Sequence, residues 1–358
     1  MKGSKQQEEN ARRNKVTIRD IARLANVAPS TVSRALSGQP GVSEATRARL
    51  LQVAKDMGYE VPPVEGQRGN RRRRGRLGKT IGLVWTNTPA TVIYQQWEAN
   101  VLAGIVSRAG EENCRVVVDI IERGGDVAKA ADILDSTTEG IIVMGSRPDQ
   151  PIPDWMRAQP SRIVFVQRNV VSANISSVLA NDRRGGFLAA EYLAKLGHRD
   201  IALISHSTDA SEPLVAREQG FREGLRQFGL DVPPEWTLYT HEWGFEPGRA
   251  AADRLLRLDK LPTAIFAATD RFAIGALQRL TSAGLSVPDD ISIVGFDDIE
   301  LSSLVDPPLT TVRLPTFEIG REAAGLLLHL QSEKEYRPRQ VYLEVQLVVR
   351  DTSGPPAK

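Results

Sequence analysis

A chain of 358 residues, of which 41% are hydrophobic, is long enough to form two or three domains with buried cores. Residues 1–79 contain 18 Lys and Arg against 7 Asp and Glu, and the remaining residues contain 28 against 37, so the net charge of +2 combines +11 with −9. This division of charge predicts that only the N-terminal part binds nucleic acid. The single cysteine excludes an intrachain disulfide framework and a cysteine-rich zinc site.

Residues 1–15 are polar and are predicted to form a disordered leader. They lack the apolar core of a signal peptide, and no later apolar run reaches the length of a membrane-spanning helix. We therefore expect a cytoplasmic protein with no membrane partner.

Residues 16–62 are predicted to form three short helices. Thr17 and Asp20 make a Thr-x-x-Asp start signal for the first helix, Pro29 suits the first position of the second, and Ser43 can cap the third. Two helices joined by a tight turn, the second polar on its outer face, are typical of a helix-turn-helix domain, whose second helix enters the DNA major groove. A small helical bundle without a role in DNA binding is the alternative that the helix pattern leaves open.

Residues 63–79 are rich in glycine and arginine and include the run Arg71–Arg74. This composition is typical of a linker between domains. At the other end of the chain, residues 351–358 are predicted to be a tail. They contain no leucine heptads, so we do not expect a terminal coiled coil.

From residue 80 to residue 350, short apolar runs alternate with longer amphipathic segments. The predicted strands are Thr80–Trp85, Cys114–Ile120, Gly140–Met144, Ile163–Gln167, Ile201–Ser205, Ala264–Ala268 and Ile291–Gly295. The predicted helices are Glu98–Gly110, Val127–Leu134, Gly186–Leu196, Val215–Phe228, Arg249–Leu256 and Phe272–Ala283. Nearly all-apolar strands alternating with helices predict an α/β domain of parallel sheets with helices on both faces.

The predicted strands are too many for one sheet, and they divide near Val178–Asn181 into two similar lobes. The first lobe is predicted to span about residues 80–178, with a return near 311–335. The second is predicted to span about residues 179–310, with a C-terminal strand. The fold class is therefore a small all-α helix-turn-helix domain followed by a two-lobed α/β domain.

Both regions resemble the lactose-repressor/galactose-repressor (LacI/GalR) family in their amino-acid sequence. The first region matches in DIARLANVAPSTVSRALSG and VSEATRARLLQVAKDMGY, and the second in DRRGGFLAAEYLAKLGHRDIALI, ATDRFAIGALQRL and ISIVGFDD. The resemblance covers about nine-tenths of the chain and implies the two-lobed fold of periplasmic sugar-binding proteins. It also implies a homodimeric transcriptional regulator, usually a repressor, that binds double-stranded operator DNA with an inverted repeat. Such a regulator responds to a small effector, expected here to be a carbohydrate.

The resemblance carries DNA contacts over to residues at the helix starts and on the second helix. These candidates are Thr17, Pro29, Ser30, Thr31, Ser33 and Arg34. Pro29, Ser30 and Arg34 would face bases, and the hydroxyls of Thr31 and Ser33 would contact phosphates. Arg34 is the strongest candidate, because a guanidinium can form two parallel hydrogen bonds with a guanine edge. A solvated surface arginine is the alternative for this residue.

In the family, the linker becomes a short hinge helix whose leucine opens a minor-groove base step. This chain departs from that pattern, because a Val-Pro-Pro sequence begins at Val61, the family's Ala-Arg-x-Leu is missing and the linker is several residues longer. We therefore do not expect an ordinary hinge helix. Instead, Arg71, Arg72, Arg73 and Arg74 are predicted to lie along phosphates or in a narrow minor groove, with a solvated charge run as the alternative.

Eight residues, carried over in the same way, are candidates for contacting an effector between the lobes. They lie just beyond strands or at helix starts, where ligands bind in two-lobed α/β proteins. These candidates are Arg168, Ser211, Arg217, Trp243, Thr269, Asp270, Phe296 and Asp297. Carboxylates and guanidinium groups suit sugar hydroxyls, and Trp243 offers an apolar face to a sugar ring. Helix capping by Asp270 and Asp297, and a surface position for Arg217, are the alternatives.

An effector that closes the cleft is expected to change the spacing of the two DNA-binding heads in a dimer. The sequence does not decide whether such an effector is an inducer or a corepressor. An enzyme is the first rival, but the chain has no P-loop, no Gly-x-Ser-x-Gly and no His-Glu-x-x-His, and we expect no catalytic residue, no metal site and no cofactor. The other rivals are a ligand-independent DNA-binding regulator and a periplasmic transport receptor, and the basic N-terminal part argues against the latter.

Overall fold

The computed structural model describes residues 16–36, 42–57, 59, 79–86, 96–122, 125, 127–134, 138–145, 150–207 and 211–357. The chain divides into two compact units, Met1–Gly78 and Lys79–Lys358. The predicted leader lies outside the described residues, and so does the predicted linker apart from Lys79. Arg71–Arg74 belong to that linker, so their contact with DNA stays a prediction.

The first unit contains three helices within its described residues: α1 (Ile18–Ala25), α2 (Pro29–Leu36) and α3 (Glu44–Asp56). Each helix contributes to one small core, in which Ile21, Val32 and Leu50 are all buried. The predicted helix-turn-helix fold is therefore confirmed.

Local hydrogen bonds set the helix starts in this unit. The backbone N–H and the hydroxyl of Thr17 both donate to the Asp20 carboxylate, at 2.9 and 2.6 Å, and these bonds lower the pKa of Asp20. Asn26 ends α1 with a φ of 52°, in the left-handed region that asparagine tolerates better than most residues. The Ala28 carbonyl accepts from the Thr31 N–H at 2.9 Å, so a backbone group begins α2 where no capping side chain is present.

The second unit contains two six-stranded sheets within its described residues, and we call them and their helices lobe 1 and lobe 2. Lobe 1 has the strand order β11-β5-β4-β3-β1-β2, all parallel. Its strands are β1 (Thr80–Thr86), β2 (Arg115–Ile121), β3 (Thr138–Met144), β4 (Ile163–Val166), β5 (Ser176–Ala180) and β11 (Gln340–Leu343). Its α-helices are α4 (Gln96–Glu111), α5 (Asp154–Ala158) and α10 (Thr316–Leu330).

Lobe 2 has the strand order β12-β10-β9-β8-β6-β7, with only β12 antiparallel to its neighbour among the described strands. Its strands are β6 (Ile201–His206), β7 (Thr237–Thr240), β8 (Ala264–Ala267), β9 (Ser292–Asp297), β10 (Thr310–Arg313) and β12 (Gln346–Val348). Its α-helices are α6 (Asp182–Leu196), α7 (Glu212–Arg226), α8 (Glu246–Leu255) and α9 (Asp270–Ser282). The chain crosses between the described parts of the lobes after β5, after β10 and between β11 and β12. The predicted two-lobed α/β fold is therefore confirmed.

One sequence-based boundary and one helix type differ from the prediction. The return to lobe 1 was predicted near residue 311, but Thr310–Arg313 forms β10, which pairs with β9 in lobe 2, and the return begins with α10 at Thr316. Three of the four residues of β10 are buried, so this short strand belongs inside a sheet. Val127–Ile133 forms a 3₁₀-helix where an α-helix was predicted.

The predicted C-terminal tail is also corrected, because residues 351–357 pack against lobe 2. The Thr352 side chain is fully buried. Its hydroxyl accepts from the Thr310 N–H and donates to the Ile293 carbonyl, both at 2.8 Å. The Ile293 N–H in turn donates to the Thr352 carbonyl at 2.7 Å. These bonds place the segment beside β9 as a structural part of the lobe.

Replacing Thr352 with valine keeps the side-chain shape but leaves the Thr310 N–H and the Ile293 carbonyl without their hydroxyl partner. Buried groups left unpaired cost about 1–3 kcal/mol, so we expect Thr352→Val to lower the free energy of unfolding by about 2 kcal/mol in urea titrations. Thr281→Val, at an exposed position of α9, is the matched control and should change stability little. Equal stabilities of the two variants would contradict the structural role of this segment.

Candidate functional site

Arg217 lies at the centre of the lobe 2 surface where the strands end. It is 5% exposed. Its Nε donates to Asp182 Oδ1 at 2.8 Å, and its Nη1 donates to Asp297 Oδ1 at 2.9 Å and to the Ala268 carbonyl at 2.7 Å. Asp182 begins α6, Asp297 ends β9 and Ala268 follows β8, so one guanidinium connects α7 with three other elements of the lobe.

The network requires α6 and α7 to approach closely. A Cβ added at Gly186 would lie 1.9 Å from the Arg217 carbonyl oxygen, and one added at Gly220 would lie 1.8 Å from that of Arg183. Only glycine allows backbones to meet at this distance. The two glycines therefore bring Asp182 within reach of Arg217.

Asp182 and Asp297 contact this buried guanidinium, and Asp270 lies near Asp297. Burial raises the pKa of Asp182, Asp270 and Asp297, and the neighbouring Asp297 raises the pKa of Asp270 further. For Asp182 and Asp297, the positive charge of Arg217 acts in the opposite direction. We call this surface of lobe 2, formed around Arg217 where the strands end, the floor. Its carboxyl groups can accept hydrogen bonds from hydroxyl donors.

Two predicted effector contacts, Asp270 and Phe296, are corrected, because their side chains are fully buried. Asp270 accepts from the Ile299 N–H at 2.9 Å, from the Ser302 hydroxyl at 2.7 Å and from the Thr311 hydroxyl. These bonds fasten α9 to β10 and to the loop after β9. The Phe296 ring lies under Arg217, whose guanidinium carbon is 3.9 Å from the ring centroid. Both residues therefore hold neighbouring residues of the floor in place from inside the lobe.

Thr269 behaves as a helix cap. Its hydroxyl accepts from the Phe272 N–H at 3.3 Å at the start of α9, and its side chain is 6% exposed. This is the capping role that the sequence left open for the neighbouring Asp270. The effector contact predicted for Thr269 stays a prediction.

Arg168 and Ser211 lie where the two lobes face each other. Arg168 follows β4 in lobe 1, is buried, and donates from Nη2 to the Gln150 carbonyl at 2.6 Å. Ser211 is half-buried and precedes α7 in lobe 2. Beside these two residues, the Asn169 N–H of lobe 1 donates to Glu212 Oε2 of lobe 2 at 3.0 Å. The structure therefore brings Arg168 and Ser211 to opposite walls of the cleft.

Trp243 provides an exposed aromatic surface at the end of lobe 2 where β6 ends. It lies between β7 and α8, and it is 58% exposed although it is a large aromatic residue. Its ring stacks on His206, with centroids 4.6 Å apart, and lies 6.3 Å from the Phe272 ring. An exposed, supported indole suits the apolar face of a sugar ring.

A cavity of about 370 Å³ lies between α4 of lobe 1 and the crossings between the lobes. Gln96, Trp97 and Asn100 line it from lobe 1, and Asp297 is the one predicted effector residue among its described lining. At its edge the Glu300 N–H donates to Gln96 Oε1 at 2.6 Å, which joins lobe 2 to lobe 1. This volume is within the range of small-molecule sites.

The sequence did not identify the α4 residues as part of the site. Gln96, Trp97 and Asn100 are half-buried side chains at the start of a helix, and nothing in their spacing distinguishes them from an ordinary helix face. Glu98 lies among them. Burial raises its pKa to about 7, Arg271 lowers it and Asp297 raises it. Glu98 therefore carries a proton-dependent charge beside the floor of lobe 2.

The DNA-contact candidates form one face of α2. Pro29, Ser30, Ser33 and Arg34 are exposed, and Thr31 is half-buried. The opposite face of the helix carries the buried residues of the small core. Thr17 is exposed, and its hydroxyl donates to Asp20. A polar face without buried apolar residues is what a helix needs in order to enter the major groove.

Two other kinds of site are absent from the described residues. No group of three or more His, Cys, Asp and Glu side chains is placed to hold a metal ion. No described helix combines the length and the apolar character that crossing a bilayer requires.

Two family models match the chain. The model described as bacterial regulatory proteins, lacI family, matches residues 17–61, and the periplasmic binding protein-like domain matches residues 190–353. The probable HTH-type transcriptional repressor ExuR of Bacillus subtilis (strain 168) is 33% identical to this chain, over 94% of it and 98% of ExuR.

Solved structures agree with these matches. A complex of the transcriptional regulator CelR with cellobiose has a TM-score of 0.68 and 28% identity, covering 94% of this chain and 100% of that chain. The lac repressor dimer bound to operator and the anti-inducer ONPF has a TM-score of 0.67 and 27% identity, covering 95% and 99%. Similarity over almost the whole length, in sequence and in fold, leads to one conclusion: this chain belongs to the lacI family of bacterial regulatory proteins.

Proposed function

We propose that the chain is a homodimeric repressor that acts in the cytoplasm, binds an inverted-repeat operator through α2 and changes its operator affinity when a small carbohydrate enters the cleft. The observation that carries this proposal is the buried Arg217, held by Asp182 and Asp297 where the two lobes face each other. These bonds hold a polar surface in place at the strand ends of lobe 2, where two-lobed α/β proteins bind their ligands.

Hydroxyl-rich ligands fit the chemistry of this cleft better than anions do. The floor holds surplus carboxyl groups, and hydroxyls can donate to them while also accepting from guanidinium donors. Trp243 adds an apolar surface for a sugar ring. The CelR structure is a complex with cellobiose, a neutral sugar. We therefore propose an uncharged carbohydrate as the effector and Arg168, Ser211, Arg217, Trp243 and Asp297 as its contacts.

The proposed mechanism is closure of lobe 1 on lobe 2. Among the described residues, the Gln96–Glu300 and Asn169–Glu212 hydrogen bonds join the lobes at the edges of the cleft. A ligand that contacts both lobes favours the closed arrangement by its differential affinity for that arrangement. In a dimer, closure changes the spacing of the two DNA-binding heads. We propose no catalytic role for the cleft, and the relatives that match the chain are described as transcriptional regulators and repressors.

The first prediction from this proposed function concerns Arg34. It uses a DNA duplex selected from a random-sequence library by the wild-type protein. Arg34→Ala should lose about 1–3 kcal/mol of discrimination between the selected duplex and a scrambled one, because base readout is removed. Arg34→Lys is the matched control, since it keeps the charge without the two-pronged guanidinium. Fluorescence anisotropy measures both affinities. An equal loss on both duplexes would show that Arg34 contacts only the backbone.

The second prediction concerns Trp243. Trp243→Ala should weaken binding of the best sugar among D-glucose, D-ribose and cellobiose by about tenfold, because a stacked aromatic face contributes about 1 kcal/mol beyond its area. Operator affinity without sugar should stay unchanged. Tyr342→Ala, at an exposed aromatic residue of the edge strand β11, is the control for calorimetric titration. If both variants bind sugar as the wild type does, Trp243 is not part of the site.

The third prediction concerns pH. A sugar that covers Glu98 buries this carboxyl group further and raises its pKa further, so sugar binding takes up a proton. Raising the pH through about 7, the pKa of Glu98, should therefore weaken sugar binding several-fold. Glu98→Gln should flatten this dependence, and Glu122→Gln, at an exposed site of the same lobe, should keep it. An unchanged slope in Glu98→Gln would assign the dependence to another group.

A further inference from the structure

Two buried histidines lie at the two ends of β6, and they differ in one respect. His198, before the strand, is 1% exposed and has partners for both ring nitrogens: Nδ1 is 3.0 Å from the Thr263 hydroxyl, and Nε2 is 2.8 Å from the Gly354 carbonyl. It is a structural histidine, as expected for a polar ring inside a protein.

His206, the last residue of β6, is 5% exposed. Its Nδ1 lies 3.3 Å from the Ser207 carbonyl and 3.5 Å from the Ser207 hydroxyl. Its Nε2 is buried and has no hydrogen-bond partner among the described residues. A buried polar atom without a partner lowers the stability of the fold, so its presence needs an explanation.

The position of His206 supplies that explanation. β6 ends at the same edge of lobe 2 as β8 and β9. At that edge, Ala268 and Asp297 accept hydrogen bonds from Arg217. Trp243 covers one face of the imidazole. Stacking uses the ring face, whereas a hydrogen bond to Nε2 lies in the ring plane, so the two contacts do not compete.

We propose that His206 is a specificity-determining residue of the effector site, which accepts or donates a hydrogen bond through Nε2 to one hydroxyl of a carbohydrate lying against the rim of Trp243. A hydroxyl group fits either tautomer, because it can both donate and accept. Trp243 lies outside the regular elements and is largely exposed, so an incoming sugar can shift it without disturbing the core. This inference rests on the proposed carbohydrate response.

His206→Phe tests the inference, since phenylalanine keeps the flat ring and the stack on Trp243 but removes both nitrogens. The probes are D-glucose, D-ribose and cellobiose, followed by the monodeoxy derivatives of whichever binds the wild-type protein most tightly. We expect His206→Phe to weaken that sugar at least tenfold. We also expect one monodeoxy derivative to bind the wild type at least tenfold more weakly than the parent sugar, and to bind His206→Phe as well as the parent sugar does.

Stability provides the readout that separates this role from a structural one. Nε2 has no partner to lose, and the Nδ1 contacts with Ser207 are long, at 3.3 and 3.5 Å. His206→Phe should therefore unfold at the same or a higher urea concentration than the wild type. His206→Gln, which keeps a polar end, should bind the sugar between these extremes and covers the case in which the phenylalanine variant fails to fold. His241→Phe, at an exposed histidine of the same lobe, should match the wild type throughout.

The outcomes distinguish the inference from the proposed function. A wild-type protein that binds none of the three sugars overturns the carbohydrate response, and the inference with it. Two outcomes overturn the role of His206 alone. In the first, His206→Phe binds the sugar as tightly as the wild type does. In the second, the deoxy derivatives weaken binding to His206→Phe in the same pattern as they weaken binding to the wild type. Reduced stability with unchanged sugar selectivity would make His206 a structural residue.

Discussion

The buried guanidinium of Arg217 is the constraint on which the geometry of lobe 2 depends. Removing an ion from water costs several kcal/mol, and only well-placed partners offset that cost. Asp182, Asp297 and the Ala268 carbonyl are such partners, and they come from three different elements. The close approach of α6 and α7 at their glycines is therefore required by the same contact. A floor fixed in this way is already organised before a ligand arrives.

The chemistry of the cleft follows from the imbalance around that guanidinium. Asp270 accepts hydrogen bonds from hydroxyl and backbone donors. Burial raises the pKa of Asp270, and the nearby Asp297 raises it further. Across the cleft, Glu98 adds another carboxyl group whose pKa burial raises. An incoming hydroxyl can donate to such a group when it is ionised and accept from it when it is protonated. The carboxyl groups of the site are therefore suited to hydrogen bonds with the hydroxyl groups of the proposed carbohydrate.

Sequence reasoning located the two domain folds well, because helix starts and apolar strands are local signals. Thr17 with Asp20, and the buried strands β1, β4 and β8, are examples. It failed where tertiary context decides. Nothing local shows that Asp270 faces three donors beneath the floor, or that Phe296 packs under a guanidinium. His206 looked like one of four scattered histidines, and only the partners of its two nitrogens separate it from His198.

The two lobes are stiff and the connections between them are few, which determines how binding energy is used. Each lobe has its own sheet with buried strands, and among the described residues the chain passes between them at Asn181, at Leu314–Pro315 and at Glu344–Val345. The crossings are themselves joined: the Asn181 N–H donates to the Leu343 carbonyl at 2.9 Å, and Asn181 Nδ2 donates to Glu344 Oε1 at 3.3 Å. Deforming a packed sheet costs more than rotating one lobe about such a narrow junction. A ligand that contacts both lobes therefore acts more readily by rotating whole lobes than by deforming either sheet, and rotation of whole lobes is a motion that a dimeric DNA-binding protein can transmit.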